Sequence, residues 1–122
     1  MGPDDSVSFG LARTFLGRCI RVEIDRPLGS RHPRHGFVYE VNYGHIPETL
    51  APDGEGLDAY VLGVDVPLAE FSGECIAVIH RLDDDDDKLV VVPPGTAIRD
   101  GEIEALVSFQ EKWFKHEIIR KQ

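Results

Sequence analysis

The chain of 122 residues is long enough to bury the core of one domain and too short for two, so residues 1–122 are interpreted as one domain. Hydrophobic residues make up 42% of the chain and charged residues 29%, a balance that is typical of a folded protein and argues against disorder. The formal net charge of −9 argues against nucleic acid and anionic membrane surfaces as partners. No stretch of about 18 apolar residues predicts a membrane span. The acidic N-terminal sequence MGPDDSVSFG lacks the order of a signal peptide, so we expect a cytoplasmic protein.

Five short segments have the pattern of β-strands. The first, CIRVEI, alternates apolar and charged residues, and this period of two is typical of a half-buried strand. The five segments are Cys19–Ile24, Phe37–Val41, Ala59–Val64, Glu74–His80 and Lys88–Val92. Short strands separated by glycine and proline, with few helices, predict a mainly β (α+β) fold built on a small closed five-stranded barrel.

The C-terminal part of the chain has a helical pattern instead. Asp100 can cap a helix, Glu102 and Glu104 suit its first turn, and Arg120 and Lys121 suit its far end. The apolar positions that recur with a period near 3.6 are Ile103, Leu106, Val107, Trp113, Phe114 and Ile118. We therefore expect one C-terminal helix packed on the barrel. A shorter helix near the start is indicated by Phe9, Leu11, Phe15 and Leu16.

Several single residues carry expectations of their own. Cys19 and Cys75 lie inside apolar, strand-like segments and are expected to be buried, reduced thiols. His80 ends an apolar segment and is expected to make a local hydrogen bond. Trp113 is expected in the core or at an interface, and His116 on an exposed helix face.

Two acidic clusters stand beside predicted strands. The first consists of Asp53, Glu55 and Asp58, and the second is the run DDDDDK from Asp83 to Lys88. Each cluster alone is also compatible with a solvated turn. Because both adjoin strand ends, a barrel could bring them together at one rim, where carboxylate oxygens would hold hard divalent cations such as Mg²⁺.

A basic loop completes this pattern. The sequence from Arg26 to His35 gathers three arginines and two histidines, which could meet a polyanion bound to the metals. The residues thus predict a metal-dependent site for a small phosphate compound. A calcium-binding structural loop is the alternative, but Asp53 to Asp58 lacks the ligand spacing and the terminal glutamate of a helical calcium loop.

Two longer motifs resemble the soluble inorganic pyrophosphatases of the OB-barrel type. VNYGHIPETLAPDGEGLDAYVLG resembles the metal-binding core of that family, and HRLDDDDDKLVVVP resembles its second acidic loop. The likeness runs from Ile20 to Pro93 and keeps the order and spacing of the two motifs. The resemblance implies an OB-like barrel in a shortened branch of the family, and Mg²⁺-dependent hydrolysis of inorganic pyrophosphate to two orthophosphates, with Mn²⁺ as the alternative metal. It also implies a homo-oligomer.

The resemblance also implies roles for individual residues. The positions that match metal ligands are Asp53, Asp58, Asp83 and Asp86, although Asp84 or Asp87 could replace either acid of the second loop. Glu55 matches the general base that takes a proton from the attacking water. Lys88 and Tyr43 match phosphate-contacting residues, and Tyr43 could equally be a core residue that plugs the barrel. Arg31 and Arg34 are the positions that best replace the basic substrate-binding residues of the family.

The sequence departs from the family pattern at two places. Glu55-Gly56 stands where the family has Asp-Pro, and Trp113-Phe114 stands near its C-terminal Tyr-Lys pair, with Lys115 as the nearest base. Two other interpretations therefore stay open: a related hydrolase that acts on a nucleotide or another phosphoanhydride, and a non-catalytic metal-binding barrel.

Overall fold

A computed structural model of the chain describes residues 7–47, 57–83 and 86–121. The described residues form two α-helices, a short 3₁₀-helix and six strands. In chain order these elements are α1 (Val7–Ala12), the 3₁₀-helix (Arg13–Phe15), β1 (Cys19–Arg26), β2 (Asn42–His45), β3 (Asp58–Val61), β4 (Glu70–Arg81), β5 (Lys88–Val92), α2 (Asp100–Glu111) and β6 (His116–Arg120). No helix among these residues is both long and apolar enough to cross a membrane.

Five of the strands close into a barrel. The order is β1-β2-β3-β5-β4, and β4 pairs back onto β1. All of these pairs are antiparallel except β3 with β5, which is parallel. The predicted fold class, a five-stranded barrel with a helix near the C-terminus, is confirmed.

The predicted strand Phe37–Val41 is wrong. This segment makes only an isolated bridge between Arg31 and Val38, and the Tyr39 N–H donates to the Ser30 carbonyl at 2.8 Å. Phe37 and Tyr39 pack against one of the two hydrophobic clusters of the core, so their alternation reflects burial in a folded loop and not a ladder. The second barrel strand is instead β2, with the sequence NYGH.

Gly44 explains why so polar a segment lies in the sheet. A Cβ at this position would overlap the carbonyl oxygen of Glu23 on the neighbouring strand β1. The absence of a side chain therefore permits β1 and β2 to approach closely. The pairing of Ile24 with Gly44 falls next to a register shift in β1, which is the kind of irregularity that bends a strand at a barrel corner.

The predicted long C-terminal helix is only partly right. α2 begins at Asp100 and ends at Glu111, and its N-cap is Arg99, without a side-chain hydrogen bond, and not Asp100 as expected. After a turn, residues His116–Arg120 form β6, which pairs antiparallel with Ala77 to Arg81 of β4. β1 pairs with β4 only as far as Glu74, and β6 pairs with the C-terminal part of β4 that β1 does not reach. His116 therefore lies on a strand and is not on an exposed helix face.

The sheet is covered on both faces. Ile103, Val107 and Phe109 of α2 belong to one hydrophobic cluster, with Tyr60 and Val90 from the strands. The second cluster combines Phe9 and Ala12 of α1, which confirms the short N-terminal helix, with residues from the other face of the strands. Because both faces are covered, β3 and β5 are almost entirely buried.

The two cysteines differ from each other. Cys75 is buried as expected, and burial raises the pKa of its thiol to about 12. Cys19 is exposed, so its predicted burial is wrong. It is the first residue of β1, where the strand enters the sheet.

His116 joins α2 to β6 and is expected to make stability depend on pH. Burial lowers its pKa, but hydrogen bonds from its ring to Glu104 (2.6 Å) and to the Phe114 carbonyl (2.9 Å) outweigh burial and raise the pKa above its usual value. The stabilisation is present in full below the unfolded pKa of about 6.5 and is lost as pH rises through the raised folded pKa.

His116→Gln should therefore lower the free energy of unfolding by about 0.5–1 kcal/mol at pH 6 and by less at pH 9. Urea unfolding at both pH values measures this, with the exposed His35→Gln as the control. Equal losses at both pH values for His116→Gln would contradict the ion pair.

Candidate active site

The site lies where the two parallel strands begin. Asp58 is the first residue of β3, Lys88 is the first residue of β5, and the register places them directly opposite each other. The Lys88 ammonium lies 2.7 Å from Asp58 Oδ2 and 2.9 Å from Asp86 Oδ1. The Lys88 side chain is only 2% exposed, and these carboxylates compensate its charge. The structure thus brings Asp58 of the first acidic cluster and Asp86 of the second onto the same ammonium group.

Tyr43 reaches the same carboxylate from β2. Its hydroxyl donates to Asp58 Oδ2 at 2.7 Å. Burial raises the pKa of Tyr43 well above its usual value, and the negative charge of Asp58 adds to this shift. Tyr43 is therefore a neutral hydrogen-bond donor at neutral pH. Because its ring also packs on the core, it belongs both to the site and to the barrel interior.

The side chains of the aspartate run make contacts in different parts of the structure. Asp86 faces Lys88 and also lies 3.5 Å from the Arg81 guanidinium. Asp87 is buried, where it contacts His80 Nδ1 at 3.0 Å and accepts the Arg81 N–H at 2.9 Å. His80 thus has the local hydrogen bond expected of it. Asp83 accepts the Lys115 N–H at 3.1 Å.

Three of the residues considered for the site fall outside the described residues. Asp53 and Glu55 lie in the stretch 48–56, and Asp84 lies in the pair 84–85. Of the predicted set, the structure brings together Tyr43, Asp58, Asp86 and Lys88. These side chains form the floor of a cleft of about 1290 Å³.

The basic residues of the cleft agree only in part with those predicted. Arg26, Arg81 and Lys112 line it, whereas Arg31 and Arg34 do not. The Arg31 side chain donates to the Gly36 carbonyl at 2.9 Å and so stabilises the loop to which both residues belong. Arg26 is the last residue of β1, and the barrel places this strand end beside the cleft.

A buried ion pair behind the floor was missed by the sequence analysis. Arg81 ends β4 and donates to both carboxylate oxygens of Glu111, at 3.1 and 2.8 Å. Glu111 is fully buried and also accepts the Tyr60 hydroxyl at 2.6 Å. The ring of Phe114 lies 3.6 Å below the Arg81 guanidinium. One signal was available: Ile103, Val107 and Glu111 are spaced by four, so a single acid lies on the apolar stripe of α2.

The donor atoms of the floor fit a hard divalent cation in their chemistry. Asp58 and Asp86 are oxygen donors that already hold one positive charge, the Lys88 ammonium, between them. Within residues 7–47, 57–83 and 86–121, no three His, Cys, Asp or Glu side chains stand close enough to share one ion.

Comparison with known proteins identifies the family. The family model of inorganic pyrophosphatase matches residues 19–119, which is most of the chain. The chain belongs to the inorganic pyrophosphatase family. The family that the two acidic motifs resemble is thereby confirmed.

Curated pyrophosphatases share about a third of the aligned residues. Soluble inorganic pyrophosphatase 2 of Chlamydomonas reinhardtii is 36% identical over 84 residues, which are 62% of this chain and 44% of that protein. The inorganic pyrophosphatase of Saccharolobus solfataricus is 37% identical over 76 residues, which are 59% of this chain and 41% of that protein. The chain thus spans less than half the length of the curated relatives it matches.

The fold agrees with that of solved pyrophosphatases. The crystal structure of inorganic pyrophosphatase from Ehrlichia chaffeensis superposes with a TM-score of 0.67, covering 84% of this chain and 85% of that chain at 20% sequence identity. At this identity the likeness concerns the fold. It places the cleft of this pyrophosphatase-family chain on a barrel of the family type.

Proposed function

We propose that the chain hydrolyses inorganic pyrophosphate to two orthophosphates with the help of Mg²⁺. The observation that carries the proposal is the convergence of Lys88 and Tyr43 on Asp58, at the floor of a cleft in a pyrophosphatase-family barrel. The family match supports the reaction, and the oxygen donors at the floor support a hard cation. The family resemblance implies a homo-oligomer, and the cytoplasm is the proposed location.

The ligands proposed for the metal are carboxylates of both acidic clusters. Asp58 and Asp86 are the described members, and Asp53 is the proposed third. Asp83 was part of the predicted set, but its bond to the Lys115 N–H directs it to the segment after α2, and it does not line the cleft. A bound ion would supply charge neutralisation and a water of lowered pKa.

The chain's own cations would bind and orient the phosphates. Lys88 and Arg26 line the cleft and oppose the charge that develops on the leaving phosphate. Tyr43, whose hydroxyl donates to Asp58 Oδ2, lines the same part of the cleft and is proposed to contact a phosphate. Arg26 is the arginine of the predicted basic loop that lines the cleft, whereas Arg31 and Arg34 do not line it, and this favours Arg26 for the phosphate-binding role.

The experiment that tests the proposal measures phosphate released from pyrophosphate by the purified chain, with millimolar Mg²⁺ and with a chelator. We expect release in Mg²⁺ and none in the chelator. Absence of release in Mg²⁺ and in Mn²⁺, from a chain that is folded by circular dichroism, would overturn the proposal.

Glu55 is proposed as the general base that takes a proton from the attacking water. A general base contributes about 10²- to 10⁴-fold to a rate, so Glu55→Gln should lower turnover by that factor. Glu48→Gln makes the same chemical change elsewhere in the stretch 48–56 and is the matched control. The role is wrong if Glu55→Gln retains full turnover and an unchanged acidic limb of the pH–rate profile.

A further inference from the structure

The cleft has an aromatic rim as well as a charged floor. Trp113 is 58% exposed, and its ring lies 5.5 Å from that of Phe37, centroid to centroid. His32 lies 4.8 Å from Phe37 on the same rim, and His35 lies 4.7 Å from His32. All four of these side chains line the cleft. Exposed rings gathered at the mouth of a cleft are a surface on which a flat, apolar group can stack.

The aromatic wall continues without a break from the rim to the floor. Phe37 is followed by Tyr39 at 5.4 Å, and Tyr39 by Tyr43 at 5.4 Å. Tyr43 in turn donates its hydroxyl to Asp58, the partner of Lys88. Three short steps from ring to ring therefore join Trp113 to the proposed phosphate end of the same cleft.

The His32 ring of the rim has a fixed orientation and is neutral. Its Nδ1 accepts the backbone N–H groups of Arg34 and His35, both at 3.1 Å. Burial lowers the pKa of His32, and the charges of His35, Arg26 and Arg34 add to this effect. The imidazole therefore presents a neutral face that is oriented by the backbone of its own loop.

Positive side chains also line the cleft. The Lys112 ammonium lies 4.8 Å from the Trp113 ring centroid, and Arg26 lines the cleft together with it. With Lys88, three cationic side chains that line the cleft are thus available to a chain of phosphates. The cleft volume of about 1290 Å³ also exceeds the roughly 300–1,000 Å³ of pockets that enclose drug-sized ligands. Inorganic pyrophosphate is far smaller than such ligands.

We propose that this cleft binds a nucleoside di- or triphosphate, with the base on the rim formed by Trp113, Phe37 and His32 and the phosphates directed to Lys88. Arg26 and Lys112 then lie where the phosphate chain passes. The inference rests on the proposed function in one respect, namely that the floor is the phosphate end.

The test compares two ligands that share a phosphate chain and differ in the base. ATP and inorganic triphosphate, each with Mg²⁺, are titrated into the purified chain by calorimetry. Stacking of one base is worth about 5- to 150-fold in affinity, so ATP should bind at least fivefold more tightly than triphosphate. Trp113 is the only tryptophan of the chain, and ATP but not triphosphate should quench its fluorescence. Equal affinities for the two ligands would overturn the inference.

Variants of Trp113 test whether the preference for ATP over triphosphate depends on the rim. Trp113→Ala should lower the ratio of ATP affinity to triphosphate affinity by about 5-fold or more, and Trp113→Phe should keep most of that ratio because it retains a ring. Val66→Ala removes side-chain atoms from another exposed apolar residue, 54% exposed, and is the matched control. An unchanged ratio in Trp113→Ala, with the variant folded, would overturn the inference.

Two further results separate this inference from its alternatives. If pyrophosphate is hydrolysed and ATP shows no preference, the inference fails and the proposed function stands. If ATP is preferred in a Trp113-dependent way and pyrophosphate is not hydrolysed, the inference stands and the proposed function fails. Sedimentation velocity tests whether a second copy of the chain covers the rim instead. A smaller assembly in Trp113→Ala, together with no preference for ATP in the parent chain, would show that it does. This result would overturn the inference.

Discussion

Asp58→Asn is expected to lower the rate of pyrophosphate hydrolysis by about 10²- to 10⁴-fold while the chain still folds. Asp58 Oδ2 accepts hydrogen bonds from both Tyr43 and Lys88, at 2.7 Å each. An amide keeps the shape of the side chain but loses the charge that fixes Lys88 and would hold a metal. Phosphate release with saturating Mg²⁺ and pyrophosphate measures the loss, and thermal unfolding verifies the fold.

The matched control for this variant is Asp65→Asn. Asp65 is exposed in the segment between β3 and β4, and it does not line the cleft. The same chemical change should leave hydrolysis within about twofold of the parent chain, since surface substitutions away from special features have small effects. Near-normal turnover in a folded Asp58→Asn variant would show that Asp58 neither binds the metal nor positions Lys88.

Local patterns predicted most of the barrel because burial and periodicity agree there. Lys88–Val92 was predicted with its observed bounds, and the first strand with its observed start at Cys19. The pattern failed at Phe37–Val41, because alternating burial also arises in a loop that folds over a core. β2 could not be found in the same way, since NYGH has no apolar alternation and its place depends on the contact of Gly44 with β1.

The C-terminal segment shows a second limit of periodicity. Ile118 fitted the helical period, yet it lies on β6, where its backbone completes an edge of β4. A strand that pairs with a distant partner is stabilised by that partner, and a single sequence does not reveal which edges are open. Trp113 fitted the period as well, but it lies in the turn after α2 and is largely exposed. It was expected in the core or at an interface, and its place in the core is wrong.

The candidate site was predictable only as a set of residue types. The motifs indicated that Asp58 and Lys88 belong together, but their contact depends on the parallel register of β3 and β5. Five consecutive aspartates cannot be distinguished by sequence, whereas the backbone turns Asp86 to the cleft and Asp87 to the buried His80. Arg26 belonged to the predicted basic loop but was not distinguished from Arg31 and Arg34, since its position follows from where β1 ends.

Glu111→Ala is expected to lower the free energy of unfolding by about 3–5 kcal/mol, since removing one partner of a buried ion pair is strongly destabilising, and Asp86, 3.5 Å from Arg81, is half exposed. Glu111 is fully buried and pairs with Arg81, whose side chain is 5% exposed. The Tyr60 hydroxyl, 2.6 Å from Glu111, would lose its acceptor at the same time. Urea unfolding of the purified variant measures the loss. Glu117→Ala removes an exposed carboxylate from β6 and should change stability by less than about 0.5 kcal/mol.

A double-mutant cycle separates the lost charge partner from the lost volume. Arg81→Met/Glu111→Leu removes both charges and fills the space with apolar atoms, so its cost should be smaller than the sum of the two single substitutions. Arg81 also lies 3.5 Å from Asp86 and rests on the Phe114 ring, so part of its own cost falls outside the pair. The coupling between the two sites should still be about 1–3 kcal/mol. Strict additivity of the single costs would show that Arg81 and Glu111 do not stabilise each other, and that the burial of Glu111 depends on Tyr60 alone.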